Sequence, residues 1–314
     1  MTYSAGGLIE ASDYNGFAGG NGGGANVSGQ LNTVLGTGYG NAGYGQTPVA
    51  NVSVAGQVTA AQWTTLVNGV NTVRKHQSGV GFTNLSTYVA GTVINATNDV
   101  STNLTTAYTN RLTSAAAGPT YNQPTQTASI NTTSASAVDF AFSRTATFGS
   151  SDQARYFFNA GGTIELQITG TTNTGATTRG AALLDVIDNC TTKKMSAITF
   201  SAITTPAPFT ENTDVTTLGY YGQTSANVEV YKNTGSASGS AYDAQFAGVN
   251  TKVTGTAGSN GGVGEVITFS IFSQSPAQSP AFDDTINISV DHRLQVVYPD
   301  TTYLANTWGS ATFG

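Results

Sequence analysis

The sequence predicts a mainly β protein with an N-terminal helical section, its C-terminal part an antiparallel β-sandwich or barrel. Three observations carry this expectation. Charged residues make up only 9% of the chain while hydrophobic residues make up 39%, so a core can form but solubility must rest on neutral hydroxyls and amides, where an ordinary domain would use roughly 25% charge. Two runs between residues 51 and 113 repeat their apolar side chains at three-to-four spacing. From residue 137 onward, apolar residues alternate with polar ones and the alternating segments are separated by Gly, Thr, Asn and Pro.

Residues 1–50 form a glycine-dense N-terminal assembly segment, with GGNGGGANVSG at 19–29 and GTGYGNAGYGQTP at 36–48. Glycine loses the most backbone entropy on ordering, so an isolated helix or strand is disfavoured there. Tyr3, Leu8, Ile9, Tyr14, Phe17, Leu31, Val34, Leu35, Tyr39 and Tyr44 nevertheless recur closely, and the segment is expected to lie against a neighbour as a chain of turns.

Residues 51–113 form a helical region. Thr59 with Gln62 three positions later makes a capping box, in which each side chain satisfies a free amide of the other residue. Trp63, Leu66, Val67, Val70 and Val73 then share one face, Arg74, Lys75 and His76 sit at the negative end of the dipole, and Gly79 stops the helix. A second stripe runs from about Thr83 through Leu85, Val89, Val93, Ala96, Val100, Leu104, Tyr108 and Leu112. Gly91 and many Thr and Asn weaken its helicity, so a helix of such length needs a partner: the first helix, or copies of itself. Trp63, Leu66, Val70, Leu85 and Val89 are the candidate packing or interface positions.

Residues 114–136, with Pro119 and Pro124 and few aliphatics, read as a linker or crossing strand. Residues 137–314 read as an antiparallel β domain, with strands at 138–148, 163–169, 227–232, 265–273 and 285–299. Within it, SDQARYFFNAGG (151–162) is expected to start a hairpin: Tyr156 and Phe158 on one face of its strand, Arg155 and Phe157 on the other, Asn159 to Gly162 turning the chain. Asp152 then caps a turn or pairs with Arg155. A strand apolar on both faces must be central or covered by another subunit, which makes Arg155, Tyr156, Phe157, Phe158, Gly161 and Gly162 structural or interface candidates. Near the end of the chain, YLANTWGSATFG is expected to pack Trp308 and Phe313 against the β domain or a neighbour.

Composition and spacing argue against several functions. A net charge of -6 with no basic cluster gives no basis for nucleic-acid binding. No apolar run reaches the roughly 18 residues of a membrane span, and the first residues lack the basic and apolar parts of a secretory signal. The lone cysteine, Cys190, cannot close a disulfide within the chain and reads as a buried or half-buried filler. His76 reads as a helix-end residue and His292 as a surface residue, neither in a metal spacing. Asp283, Asp284 and Asp291 are the densest acidic group, but their spacing is not that of a calcium loop. Glu165, Glu211, Glu229 and Glu265 supply carboxylates without a recognisable catalytic pairing, and there is neither a GxSxG elbow nor a nucleotide-binding glycine loop. No enzyme activity, cofactor or metal is expected.

Four motifs carry a resemblance: DYN (13–15), GYGQ (43–46), the capped helix ending in RKHQSG (74–79), and SDQARYFFNAGG (151–162). Together they resemble uncharacterised structural proteins of tailed-bacteriophage virions, found among tail, baseplate and fibre components. The resemblance implies a particle component assembled in the host cytoplasm, with no catalytic residue to carry over. The expected function is therefore structural, with the chain packing against itself, as a trimer or similarly symmetric homo-oligomer, and against other virion proteins. The alternatives are a receptor-binding adhesin reading a host-surface glycan through Tyr220, Tyr221 or Trp308, a capsid decoration, a surface filament subunit, or an enzyme trimming polysaccharide.

Overall fold

A computed structural model of the chain describes residues 9–20, 27–85, 87, 89, 97–235, 242–277 and 285–314. The helical section comprises α1 (Ala11–Ala18), α2 (Leu31–Val34), α3 (Ala60–Ser78) and α4 (Thr97–Thr109). The rest of the described chain carries β1 (Ala117–Asn122), β2 (Gln126–Thr133), β3 (Val138–Thr147), α5 (Ser151–Asn159), β4 (Thr163–Thr172), α6 (Thr178–Asp188), β5 (Lys194–Met195) and β6 (Thr210–Asp214), followed by β7 (Val228–Thr234), β8 (Phe246–Thr254), β9 (Val266–Ser275), β10 (Thr285–Pro299) and β11 (Thr312–Phe313). The protein is thus mixed α/β, and every strand pairing among the described residues is antiparallel.

The first helix is built as its caps require. Thr59 Oγ1 accepts from Gln62 N at 3.2 Å and Gln62 Oε1 accepts from Thr59 N at 2.8 Å. At the other end Gly79 adopts φ 78° and its N–H reaches Lys75 O at 2.8 Å. Trp63, Leu66, Val67, Val70 and Val73 are all buried on α3, which packs against α1, α2 and α4. The long second helix is shorter than its stripe. Residues 83–85 are not helical, because asparagine side chains hold that stretch instead: Asn71 Oδ1 accepts from Phe82 N at 2.8 Å and Asn103 donates to Asn84 at 2.9 Å. Leu85 is half-buried against the core, whereas Val89 is 76% exposed and shares no helical face with it. Val100 and Leu104 are buried on α4, while Val93 and Ala96 lie outside the described residues.

Of the two readings of residues 114–136, linker or crossing strand, the structure takes the second: they supply β1 and β2, which pair one after the other along the same side of β10. The kink between them is fixed by buried Gln123, whose N–H donates to Leu294 O at 2.9 Å while its Oε1 accepts from Leu294 N at 3.0 Å and Arg144 Nε at 3.0 Å. One five-stranded sheet runs β1-β10-β4-β5, with β2 also on β10; a six-stranded sheet runs β11-β3-β9-β8-β7-β6.

The expected hairpin is wrong at its first arm. Residues 151–159 are helix α5, not a strand, since Ser150 caps it by accepting from Gln153 N at 3.2 Å. Its buried positions, Ser151, Ala154, Arg155, Phe158 and Asn159 with Phe157, follow helical spacing; an aromatic run of three residues is too short to distinguish the two periods. The second arm is a strand as expected, β4, burying Ile164, Leu166 and Ile168.

Helix α6 was not foreseen. It packs against β4 and β10 of one sheet and β8 and β9 of the other, so it lies between the two layers. Gly170 on β4 admits it, because a side chain there would start 2.0 Å from Leu184 Cδ1. One contiguous buried cluster links α1, the helical section, both sheets and residues 304–311.

Candidate functional site

Three of the four resemblance motifs, GYGQ, RKHQSG and SDQARYFFNAGG, meet in space around α5. Arg155 is fully buried. Its Nε donates to Asp152 Oδ1 at 3.1 Å, its Nη1 to Ala42 O at 2.7 Å and Gly40 O at 3.3 Å, and its Nη2 to Thr37 O at 2.7 Å. One turn on, Asn159 Nδ2 donates to Gly40 O at 3.1 Å and Gly43 O at 3.0 Å. The Tyr221 hydroxyl lies 2.6 Å from Gly40 O and 2.9 Å from Asn159 Oδ1. A planar guanidinium and an amide thus collect the carbonyls that the glycine-rich loop cannot satisfy by regular pairing.

Asp152 completes the ring. Its other oxygen accepts from Asn260 Nδ2 at 3.0 Å, and Asn260 O accepts from Gly40 N at 2.7 Å. The Asp152–Arg155 pair exists as expected, within a helix turn. Tyr156 is half-buried, with the Arg155 guanidinium 4.7 Å from its ring centre. A side chain at Gly45 would start 2.5 Å from the Tyr156 ring, and Gly45 has φ 69°, so this loop position requires glycine on two grounds.

GYGQ and RKHQSG join from the other side. Gln77 Nε2 donates to the Tyr44 hydroxyl at 3.1 Å, which donates to Arg111 O at 2.9 Å. His76 is buried, its Nε2 3.1 Å from Ala160 O and its ring 5.2 Å from that of Tyr44. Burial lowers its pKa and raises that of Tyr44. Gln46 exchanges hydrogen bonds with Ala305, donating at 2.9 Å and accepting at 2.8 Å. In DYN, Asn15 makes the same reciprocal pair with Val52 at 2.8 Å each way.

Phe157 and Phe158 are buried in this chain's own core, so no second subunit covers them. Phe157 meets Phe148 and Tyr298, and Phe158 stacks on Tyr220 at 4.6 Å. Gly161, at φ 93°, and Gly162 end the helix, their N–H groups reaching Phe158 O at 3.1 Å and Phe157 O at 2.9 Å. The three residues expected to meet a glycan do not present themselves for it. Tyr220 and Trp308 are 0% and 1% exposed. The Tyr220 hydroxyl, its pKa pushed up to about 12 chiefly by burial, donates to Gly264 O at 2.8 Å. Tyr221 is half-buried and spends its hydroxyl on the clamp; burial raises its pKa as well.

The residues expected to be chemically quiet need one correction. Cys190 is buried and its thiol is pushed up by burial. His292 is not on the surface: it is 4% exposed and stacked at 4.2 Å on Phe142, with its pKa lowered to about 4 by burial and then by the Arg144 charge. Asp283 and Asp284 lie outside the described residues; among the described residues no group of three or more His, Cys, Asp or Glu gathers to hold a metal ion. No described helix is long and apolar enough to cross a membrane.

Sequence reasoning missed a second buried clamp. Arg179 on α6 donates through Nε to Ser275 Oγ at 2.8 Å and through Nη2 to Ser136 O and Pro276 O, each at 2.9 Å. The available signal was scarcity. Of 11 Lys and Arg residues, Arg144, Arg155, Arg179 and Lys193 are buried, a use of charge that solubility cannot explain. A scan against protein-family models and searches of curated proteins and of solved structures find no match to the chain.

Proposed function

We propose that the protein is a structural component of a tailed-bacteriophage virion, of tail, baseplate or fibre, working through contacts with copies of itself and with other virion proteins. The observation that carries the self-association is the free edge of the five-stranded sheet. Among the described residues, β1 and β2 pair with β10 on one side and with no strand on the other, and residues 112–138 contain no charged side chain. Sheet edges that must stay single are ordinarily blunted by charge, bulges or covering loops; Pro119 and Pro124 interrupt β1 and the kink, but β2 is left plain. The two sheets with α6 between them are read as an open sandwich, offering this edge to a second copy.

The resemblance motifs support the virion reading because three of them, GYGQ, RKHQSG and SDQARYFFNAGG, interlock as described above. The test is sedimentation of the purified chain together with cryo-electron microscopy of the species formed. Self-association through β2, lost in a Thr127→Lys, Ser129→Lys, Asn131→Lys triple variant, is expected. A wild-type chain that remains monomeric and does not co-purify with particles would overturn the proposal.

One observation favours the glycan-binding alternative at a different place. Tyr121, 45% exposed, stacks on Phe313 at 5.1 Å beside a groove lined by Pro124, Tyr298, Ser310, Ala311 and Thr312. Aromatic faces flanked by hydroxyls suit a sugar ring. Tyr121→Ala would then reduce binding to host-surface polysaccharide at least about tenfold, roughly the loss of one aromatic contact.

A further inference from the structure

Lys193 and Asp214 bring together the short end strands of the two sheets. Lys193 directly precedes β5, the last strand of the first sheet, and Asp214 ends β6, the last strand of the second. The Lys193 side chain is 0% exposed and that of Asp214 10%. Lys193 Nζ donates to Asp214 Oδ1 and, at 2.8 Å, to Ser201 O. The other carboxylate oxygen accepts from Ile203 N at 3.1 Å, which fixes the plane of the carboxyl group. The Phe200 ring lies 5.7 Å from Nζ. On the same side the Tyr231 and Thr205 hydroxyls are 2.7 Å apart, and Thr205 donates to Glu211 Oε2 at 3.2 Å.

Burial of this kind costs an ion pair much of its Coulombic gain. It also holds an amine against a carboxyl group out of bulk water, the arrangement in which orientation replaces the entropy of encounter. We propose that Lys193 and Asp214 join in an intramolecular isopeptide bond, covalently tying the edge of one sheet to the edge of the other.

The step balances without any added reagent. Proton transfer within the pair gives a neutral amine and a carboxylic acid. The nitrogen lone pair attacks Asp214 Cγ, forming the C–N bond. A proton leaves the nitrogen, the C–O bond to the hydroxyl breaks, and that hydroxyl departs with a proton as water. One ammonium and one carboxylate thus become one amide and one water. Desolvation lowers the Lys193 pKa despite the favourable charges of Asp214 and Glu211, which favours the nucleophilic form.

Intact-mass measurement of the purified, denatured full chain tests this directly. The expected mass is lower than that of the sequence by one water, and proteolysis releases a branched peptide joining Lys193 to Asp214. Lys193→Arg keeps the positive charge and should show the full sequence mass. Asp214→Asn retains an amide that the same attack can displace, so its mass falls by one ammonia instead. A wild-type chain of full sequence mass, or a water loss mapping to other residues, overturns the proposal.

Discussion

At the scale of single residues, the protein spends its few cations inside. Arg155 shows why: each of its nitrogens donates a hydrogen bond, all but one to carbonyls of the glycine loop. Replacing it with alanine would orphan those carbonyls, a loss of more than about 3 kcal/mol in urea-denaturation stability. Arg155→Lys keeps the contact with Asp152 but not the fork, and should recover less than half of that loss. His292 makes a second prediction. Its folded-state pKa of about 4 lies below the ordinary 6.5, so between these values the unfolded chain binds more protons than the folded one. Stability from this group is complete above about pH 6.5 and lost as pH falls toward about 4. His76, also lowered, acts in the same direction. A denaturation series from pH 7 to pH 4 should fall for the wild type and flatten in His292→Gln, while a profile unchanged by the substitution would contradict the assignment.

At the scale of elements, legibility followed the length of the pattern. Nineteen residues with a capping box and a terminal glycine made α3 readable end to end, and fifteen alternating residues did the same for β10. Helix α5 was misread because its apolar run is three residues long and its decisive signal, a single Ser150 cap, is common in a serine-rich chain. Helix α6 hid for another reason. It packs against both sheets, so only a narrow stripe, Thr178, Ala181, Asp185 and Asp188, stays at least partly exposed to mark its period within eleven residues. Of the candidate site, the pairing of Asp152 with Arg155 was visible, and so was a break in the chain at Gly161 and Gly162, though it ends a helix rather than turning a hairpin. The partners of Arg155 were not, since main-chain carbonyls more than a hundred positions away leave no mark on side-chain identity. The element-scale prediction concerns the loop itself. Gly45→Ala must accommodate both φ 69° and a Cβ 2.5 Å from the Tyr156 ring, costing about 2 kcal/mol or more. Combining it with Tyr156→Ala removes the clash and leaves only the backbone strain, so a double-mutant cycle should show the two changes to be strongly non-additive.

At the scale of the whole molecule, the division into an N-terminal segment, a helical region and a β domain meets a core that does not respect it. The buried cluster runs without a break from Tyr14 and Trp63 through Phe157 and Ile288 to Trp308. Residues 305–307 are held by Gln46 and Tyr44, from the glycine-rich segment, and β11 closes on β3. Contacts of such separation in sequence bind the two ends of the described chain into one structure, and a structure with one core is expected to unfold as one. The two tryptophans report on this separately, because Trp63 lies on α3 and Trp308 follows β10. In Trp308→Phe the remaining fluorescence follows the helical section; in Trp63→Phe it follows the region joined to the sheets. After allowance for the stability each substitution removes, measured by circular dichroism on the same samples, the fluorescence and dichroism midpoints should coincide within each variant. Fluorescence from Trp63 that changes at clearly lower denaturant than the sheet signal would mean that the helical section is a domain of its own. Deleting residues 300–314 should then lower the Trp63 transition as well as the sheet transition, because removing Trp308, Leu304 and the Gln46 partner opens the core that both share.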